Sequence, residues 1–291
     1  MEKKVDRKKD HIEMAFKSTV EKGQLDDRFY YEPFLAGHPT GSMPGTFKFL
    51  GKKMRFPMWV SSMTGGTKWA KTINRNLARA CREFGLGMGL GSCRPLLDGS
   101  QHFEDFDVRS IIGEEQPLFA NIGIAQLQEL QEEGASDRLW VLCHDLQADG
   151  LIIHVNPLQE WLQPEGDRFH VPPIDSISEF VEETNIDVIV KEVGHGFGPE
   201  SMRALLKLPL AAIDFGANGG TNFSKLEMMR SDPEKEEIYR PLSYVGHSAE
   251  DMLWMFNQIT EDVGVERRCD NVIISGGIRN FLDGYYLVEN S

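Results

Sequence analysis

The chain has 291 residues, of which 45 are acidic and 31 basic, for a formal net charge of −14. That balance excludes a nucleic-acid binder working by phosphate neutralisation, and 41% hydrophobic with 26% charged residues excludes disorder over most of the length. One α/β barrel or two smaller domains would fit this size.

Met1–Lys9 is charged and leads into no apolar run, so no signal peptide is predicted. The first ~20 residues read as a charged helical arm. Phe47–Leu50 and Lys53–Phe56, joined by Gly51-Lys52, read as a hairpin plugging the bottom of a barrel. Seven short apolar runs follow: Pro57–Ser62, Leu86–Leu90, Leu118–Gly123, Gly150–Asn156, Asp187–Val193, Leu210–Phe215 and Asn271–Ser275. Near-continuous runs of this kind are expected of parallel strands covered on both faces.

Helices are predicted between them. Trp69, Ile73, Leu77, Ala80 and Phe84 make one apolar stripe. Leu127–Glu133 reads as a partly exposed helix. Ser176 with Glu179, and Ser248 with Asp251, read as capping boxes. The polar stretch Ser231–Ser248 reads as a loop or lid. The apolar runs are far shorter than the ~20 residues that span a bilayer. Cys81, Cys93, Cys143 and Cys269 are scattered, indicating neither structural zinc nor a disulfide framework. A soluble, cytoplasmic protein is expected, with no nucleic-acid or membrane partner.

Strands alternating with helices call for a parallel sheet, either doubly wound or closed as a (β/α)8 barrel. No GxGxxG follows the first strand, and glycine or polar residues follow nearly every strand (Ser62, Gly91, Asn121, Asn156, Gly194, Gly216, Gly276), where a barrel carries its active site. The expectation is a TIM-type barrel, residues 57–291, preceded by an arm and hairpin, residues 1–56, the whole being a single domain. Only 14 residues follow Gly277, so the eighth βα unit is read as lacking.

Four groups of strand ends suggest chemistry. After the first strand, Ser61–Gly66 reads either as a plain βα turn or as a loop whose glycines admit a ligand to the backbone. His154 and Asn156 lie two apart on a strand and so share a face, with Gln159 and Glu160 following. That set reads either as a satisfied core histidine with a surface glutamate or as a site for a diphosphate with a hard cation, His154 and Asn156 donating and Glu160 ligating Mg²⁺. Lys191 interrupts an apolar strand and needs an anionic partner, a ligand or a neighbouring carboxylate. Gly216–Thr221 and Ser275–Arg279 are glycine-rich ends late in the chain, either of which alone reads as an ordinary turn, while the two together stand where barrels capture phosphate.

Taken with Arg7–Ile12, Gly91-Ser92 and Ala120–Gly123, these residues resemble the type 2, FMN-dependent isopentenyl-diphosphate isomerases, His-x-Asn-x-x-Gln-Glu at 154–160 being the most specific element. The resemblance implies that Ser62, Met63, Thr64, Ser92, Asn121, Lys191, Thr221, Gly277, Ile278 and Arg279 hold FMN. It likewise assigns Arg7, Lys8, His11, Arg94, His154, Asn156 and Gln159 to the diphosphate substrate and Glu160 to Mg²⁺. His154 and Gln159 are taken as the catalytic side chains, with NADPH needed only to reduce the flavin, and a homo-oligomer is expected. Three positions depart from the family: Cys93 stands for Gln, Asn222-Phe223 for Ser-Trp, and the eighth strand is missing. Without that strand's amides, FMN binding is expected to weaken by about two to four orders of magnitude. Two rival readings are an FMN-dependent 2-hydroxy-acid oxidase, which would carry His-Gly-Gly-Arg where Gly219-Gly220-Thr221 stands, and an impaired flavin-binding relative acting as a binding partner.

Overall fold

A computed structural model describes residues 7–35, 37–38, 45–62, 64–99, 101–262, 264 and 266–291. The chain divides into two compact units, residues 1–43 and 44–291. In the first, Arg7–Met14 is helical, followed by two short 3₁₀ turns.

The second unit begins with a hairpin, β1 (Phe47–Phe49) against β2 (Lys52–Met54). Seven parallel strands follow: β3 (Trp59–Val60), β4 (Gly87–Gly89), β5 (Leu118–Gly123), β6 (Gly150–Val155), β7 (Val188–Glu192), β8 (Ala212–Asp214) and β9 (Val272–Ile273). They are hydrogen-bonded in chain order from β3 to β9. A doubly wound sheet would reverse its order part-way, so this is a barrel wall, open between β3 and β9. All seven predicted strands are present, most trimmed by one or two residues at their ends, and there is no eighth among the described residues.

Alternation along the strands sets the interior. Phe119, Ile152, Ile189, Ala212 and Ile273 form one apolar layer with Phe49 and Met54 of the hairpin. The hairpin therefore plugs the barrel floor, as its sequence suggests. The outward residues of the same strands join the larger core under the helices.

The helix Lys68–Phe84 starts where Thr67 accepts a hydrogen bond from the Ala70 amide and ends at Gly85, whose φ of 68° few side chains would tolerate. Its predicted inner face is the wrong one. Ala70, Asn74, Ala78 and Cys81 are buried, whereas Trp69 is 83% exposed. Small side chains let the helix lie close to its neighbours, and the Asn74 amide donates to the carbonyls of Thr64 and Asp105 at 3.2 and 2.9 Å.

Other expectations also shift. Leu127 and Leu130 are buried in the helix Ile124–Glu132. The helix Pro173–Glu183 begins three residues before Ser176, because proline fits its first turn, and Ser176 is interior, accepting from Gln128. The supposed lid contains a helix, Pro233–Tyr239, capped by Asp232. The Ser248–Asp251 capping box is present. All four cysteines are free and buried, and no described helix is long and apolar enough to cross a membrane.

Candidate active site

Two residues beyond the apolar floor, each central strand turns polar on the same face. Phe119 gives way to Asn121, Ile152 to His154, Ile189 to Lys191, Ala212 to Asp214 and Ile273 to Ser275. This layer is the base of the mouth at the strand ends.

Its hydrogen bonds fix the state of His154. The Asn121 amide donates to the Leu90 carbonyl at 2.9 Å, so its oxygen must accept, and it does so from His154 Nδ1 at 2.8 Å. The proton is on Nδ1 by that assignment, leaving Nε2 as an acceptor. Burial, then the Lys191 ammonium, pushes the His154 pKa from 6.5 to about 3. His154 is neutral here. The donor role expected of His154 would, at Nε2, require a proton that an arriving anion would favour.

Asn156 is buried, and its amide donates to Gln159 Oε1 at 3.2 Å and Glu160 Oε1 at 2.8 Å. Its amide protons are thus engaged by two neighbouring side chains. Its Oδ1 is buried without a partner. The second Glu160 oxygen accepts from the Asp167 amide at 2.9 Å, and Asp167 pairs with Arg94 at 3.3 Å. Asn156, Gln159, Glu160 and Arg94 therefore form one connected group.

The sequence reading missed Glu227. It is 3% exposed on the helix Phe223–Arg230. One oxygen accepts from the side-chain amides of Gln159 (3.2 Å) and Gln163 (3.0 Å), while the other pairs with Arg230 at 2.6 Å. It fixes which way the Gln159 amide faces. Nothing in its local spacing marks its link to the site, since Gln159 and Gln163 come from a different βα unit.

Lys191 is 8% exposed and donates to the Glu192 carbonyl at 2.6 Å. The next side chain points the other way. Glu192 Oε2 accepts from the backbone amides of Gly194, His195 and Gly196 at 2.6–2.9 Å, while burial still holds its pKa up. His195 is tied in turn to the Val245 carbonyl at 2.5 Å and Ser224 Oγ at 2.8 Å.

The remaining assigned residues divide. Ser62 Oγ is buried and unpartnered. The Thr64 backbone lies so close to Gly91 that a Cβ there would sit 2.5 Å from the Thr64 oxygen. Ser92 Oγ accepts from the Arg94 amide at 3.5 Å. Gly219 and Gly277 meet: a Cβ on Gly219, at φ 114°, would lie 2.8 Å from the Gly277 Cα. Thr221, Ile278 and Arg279 are exposed beside these loops. Met63 lies outside the described residues. Arg7, Lys8 and His11 are on the helix of the N-terminal unit. Cys93 is fully buried, with its thiol pushed up to about 12. Among the described residues no three His, Cys, Asp or Glu side chains converge as a metal cage.

No family model matches the chain. The fold resembles a mandelate oxidase variant solved with (S)-mandelic acid, at TM-score 0.51 and 13% identity over 84% of this chain and 65% of that one. The chain thus spans just under two thirds of that structure, and the likeness concerns the fold alone. Curated relatives are closer in sequence. The isopentenyl-diphosphate delta-isomerase of Rickettsia typhi is 34% identical over 286 residues, 96% of this chain and 80% of the relative. That of Rickettsia prowazekii is 34% identical over 285 residues, again 96% and 80%. With that identity along nearly its whole length, and a mouth carrying His154, Asn156, Gln159 and Glu160 on a parallel barrel, the chain belongs to the type 2 isopentenyl-diphosphate delta-isomerase family.

Proposed function

We propose that this protein interconverts isopentenyl and dimethylallyl diphosphates, using reduced FMN and Mg²⁺. The observation carrying the reading is the polar layer itself, with Ser62 Oγ and Asn156 Oδ1 buried and unpartnered around it. Native interiors rarely leave such atoms unsatisfied unless a ligand completes them.

The residues present suit FMN. Gly219 and Gly277 approach too closely for side chains, which leaves backbone free to meet a phosphate. Lys191 offers a buried ammonium to an anionic ring, and Ser62 an unpaired hydroxyl. When bound and reduced by NADPH, the flavin supplies the acid–base chemistry that moves the alkene.

The protein's own groups do the rest. Glu160 keeps lone pairs beyond its two hydrogen bonds, enough to ligate a Mg²⁺ whose other ligands are diphosphate oxygens and water. Gln159, held by Asn156 and Glu227, presents a fixed amide beside it. His154 Nε2 takes up a proton as the diphosphate arrives, then donates to it. No net redox change occurs, so NADPH is not consumed stoichiometrically.

An absorbance spectrum of the purified protein with added FMN, and an isomerase assay with NADPH and Mg²⁺, test this reading. A flavin spectrum with isomerisation supports it. Oxidation of lactate, glycolate or mandelate without isomerisation would replace it with a hydroxy-acid oxidase.

A further inference from the structure

One carboxylate in the polar layer has no part in the roles assigned above. Asp214 ends β8 and is fully buried. Its Oδ1 accepts from the Ser275 hydroxyl and, at 3.3 Å, from the Gly216 amide, while Oδ2 has no partner. Across the sheet its partner in register is Lys191. Both lie two residues beyond floor residues, Ala212 and Ile189, so both project into the barrel. The Lys191 ammonium has three protons and a single acceptor, the Glu192 carbonyl. A buried carboxyl group with a spare oxygen thus lies in register with a buried ammonium that has spare donors.

Such a couple lowers the desolvation cost of each charge, and it also sets what a third charge nearby experiences. Burial pushes the Asp214 pKa up, and Lys191, Ser275 and the Gly216 amide oppose that push. The ionised carboxylate therefore depends on these three partners.

We propose that Asp214, steadied by Ser275, sets how much of the Lys191 positive charge reaches the cofactor, acting through Lys191 as a positioning residue. This rests on the FMN reading above. Reduced FMN carries a negative charge that oxidised FMN lacks at the ring, so an unopposed Lys191 favours the reduced form. Asp214 offsets Lys191 and moderates that preference.

The test uses FMN-saturated protein titrated with dithionite against a reference dye, comparing the parent with Asp214→Asn, Ser275→Ala, Lys191→Met and the Lys191→Met/Asp214→Asn pair. Asp214→Asn should raise the preference for reduced FMN about tenfold, an upward shift of ~30 mV for two electrons. Ser275→Ala should move it the same way by about threefold, because it removes a donor that supports the carboxylate. On the Lys191→Met background, Asp214→Asn should add nothing.

An unchanged or reversed preference in Asp214→Asn overturns the proposal. So does an equal shift with and without Lys191, which would mean that Asp214 acts on the flavin directly. If Asp214→Asn fails to fold, Ser275→Ala decides in the same way. A parent that binds no FMN removes the FMN reading and this inference with it; a parent that binds FMN while its variants show no shift removes only the inference.

Discussion

At the start of the strands, Arg109 is 2% exposed and partnered at each of its three side-chain nitrogens. It donates to the carbonyls of Gln147, Gly113 and Gln116 and to Asp149 Oδ2 at 2.7–3.1 Å. Asp149 also accepts from the Leu118 amide at 2.8 Å and from Lys52 of the hairpin at 2.6 Å. At the strand ends, Ser62 Oγ, Asn156 Oδ1 and Asp214 Oδ2 are equally hidden and have no partner. Trp59 Nε1, Asn74 Oδ1 and Arg75 Nε are unpartnered elsewhere, so the contrast lies in the clustering of such atoms around one concave layer. A completed polar network ties the hairpin plug to the wall and is structural. An incomplete one marks where a ligand belongs.

The largest effect should come from breaking the completed network. Arg109→Met leaves three carbonyls and part of Asp149 without a donor, and should destabilise the protein by about 3–4 kcal/mol. Urea unfolding measures this. Cofactor and diphosphate affinities of the folded fraction should be unchanged. A loss below about 1 kcal/mol would place Arg109 among weakly coupled surface groups.

Substitution at the mouth should reverse that pattern. Glu160→Gln keeps an acceptor for the Asp167 amide or for Asn156 but loses the charge a hard cation needs. Affinity for inorganic diphosphate with Mg²⁺ should fall about a hundredfold, ~2.7 kcal/mol, with stability nearly unaltered. Calorimetric titration with and without Mg²⁺ reads both. Unchanged affinity and metal dependence would make Glu160 an ordinary surface carboxylate.

His154 contributes through pH. Its native pKa of about 3 lies below the ordinary 6.5, so between those values the unfolded chain binds a proton that the native chain does not. Stability is complete above pH 6.5 and falls as pH drops towards 3. Glu192 and Asp214 have raised values and act with the opposite sign, gaining stability as pH falls. The parent-minus-His154→Asn difference isolates the histidine. It should shrink by about 1.6 kcal/mol between pH 6.5 and 5 in urea melts. A flat difference would show that His154 titrates normally.

Glu227→Gln should act more gently. It keeps the shape of the group holding Gln159 but lets that amide face either way, lowering kcat about tenfold, ~1.4 kcal/mol, with KM within about twofold. An equal rise in KM would assign Glu227 to substrate binding instead.

How much of this was legible in sequence follows from range. The seven strands are short-range patterns, and so is the pairing of His154 with Asn156 on one face. The hairpin plug was legible too, because its Phe and Met residues alternate with lysines. Glu227 was not, since its meaning depends on Gln159 and Gln163, more than sixty residues earlier. The hydrogen-bonding state of Asn156 and His154 was hidden for a related reason. Which atom of an amide or imidazole is free depends on neighbours such as Leu90 and Asn121 that spacing does not specify.

The smallest effect should come from the helix Lys68–Phe84, where periodicity gave the right element and the wrong face. Trp69, Ile73 and Phe84 have the spacing of a buried stripe but are exposed at 83%, 39% and 51%. The inner face is carried by Ala70, Asn74, Ala78 and Cys81, whose total hydrophobicity is lower. A close-packed wall selects for volume before hydrophobicity, because a large side chain at those positions would hold the helix away from its neighbours. Trp69→Gln should therefore change stability by less than about 0.5 kcal/mol, whereas Ala78→Leu, on the inner face of the same helix, should cost about 1–3 kcal/mol by overpacking. Urea melts of the two variants rank the faces directly. A Trp69→Gln loss as large as that of Ala78→Leu would show that the outer stripe is covered in solution, and that the sequence pattern had identified a second contact face.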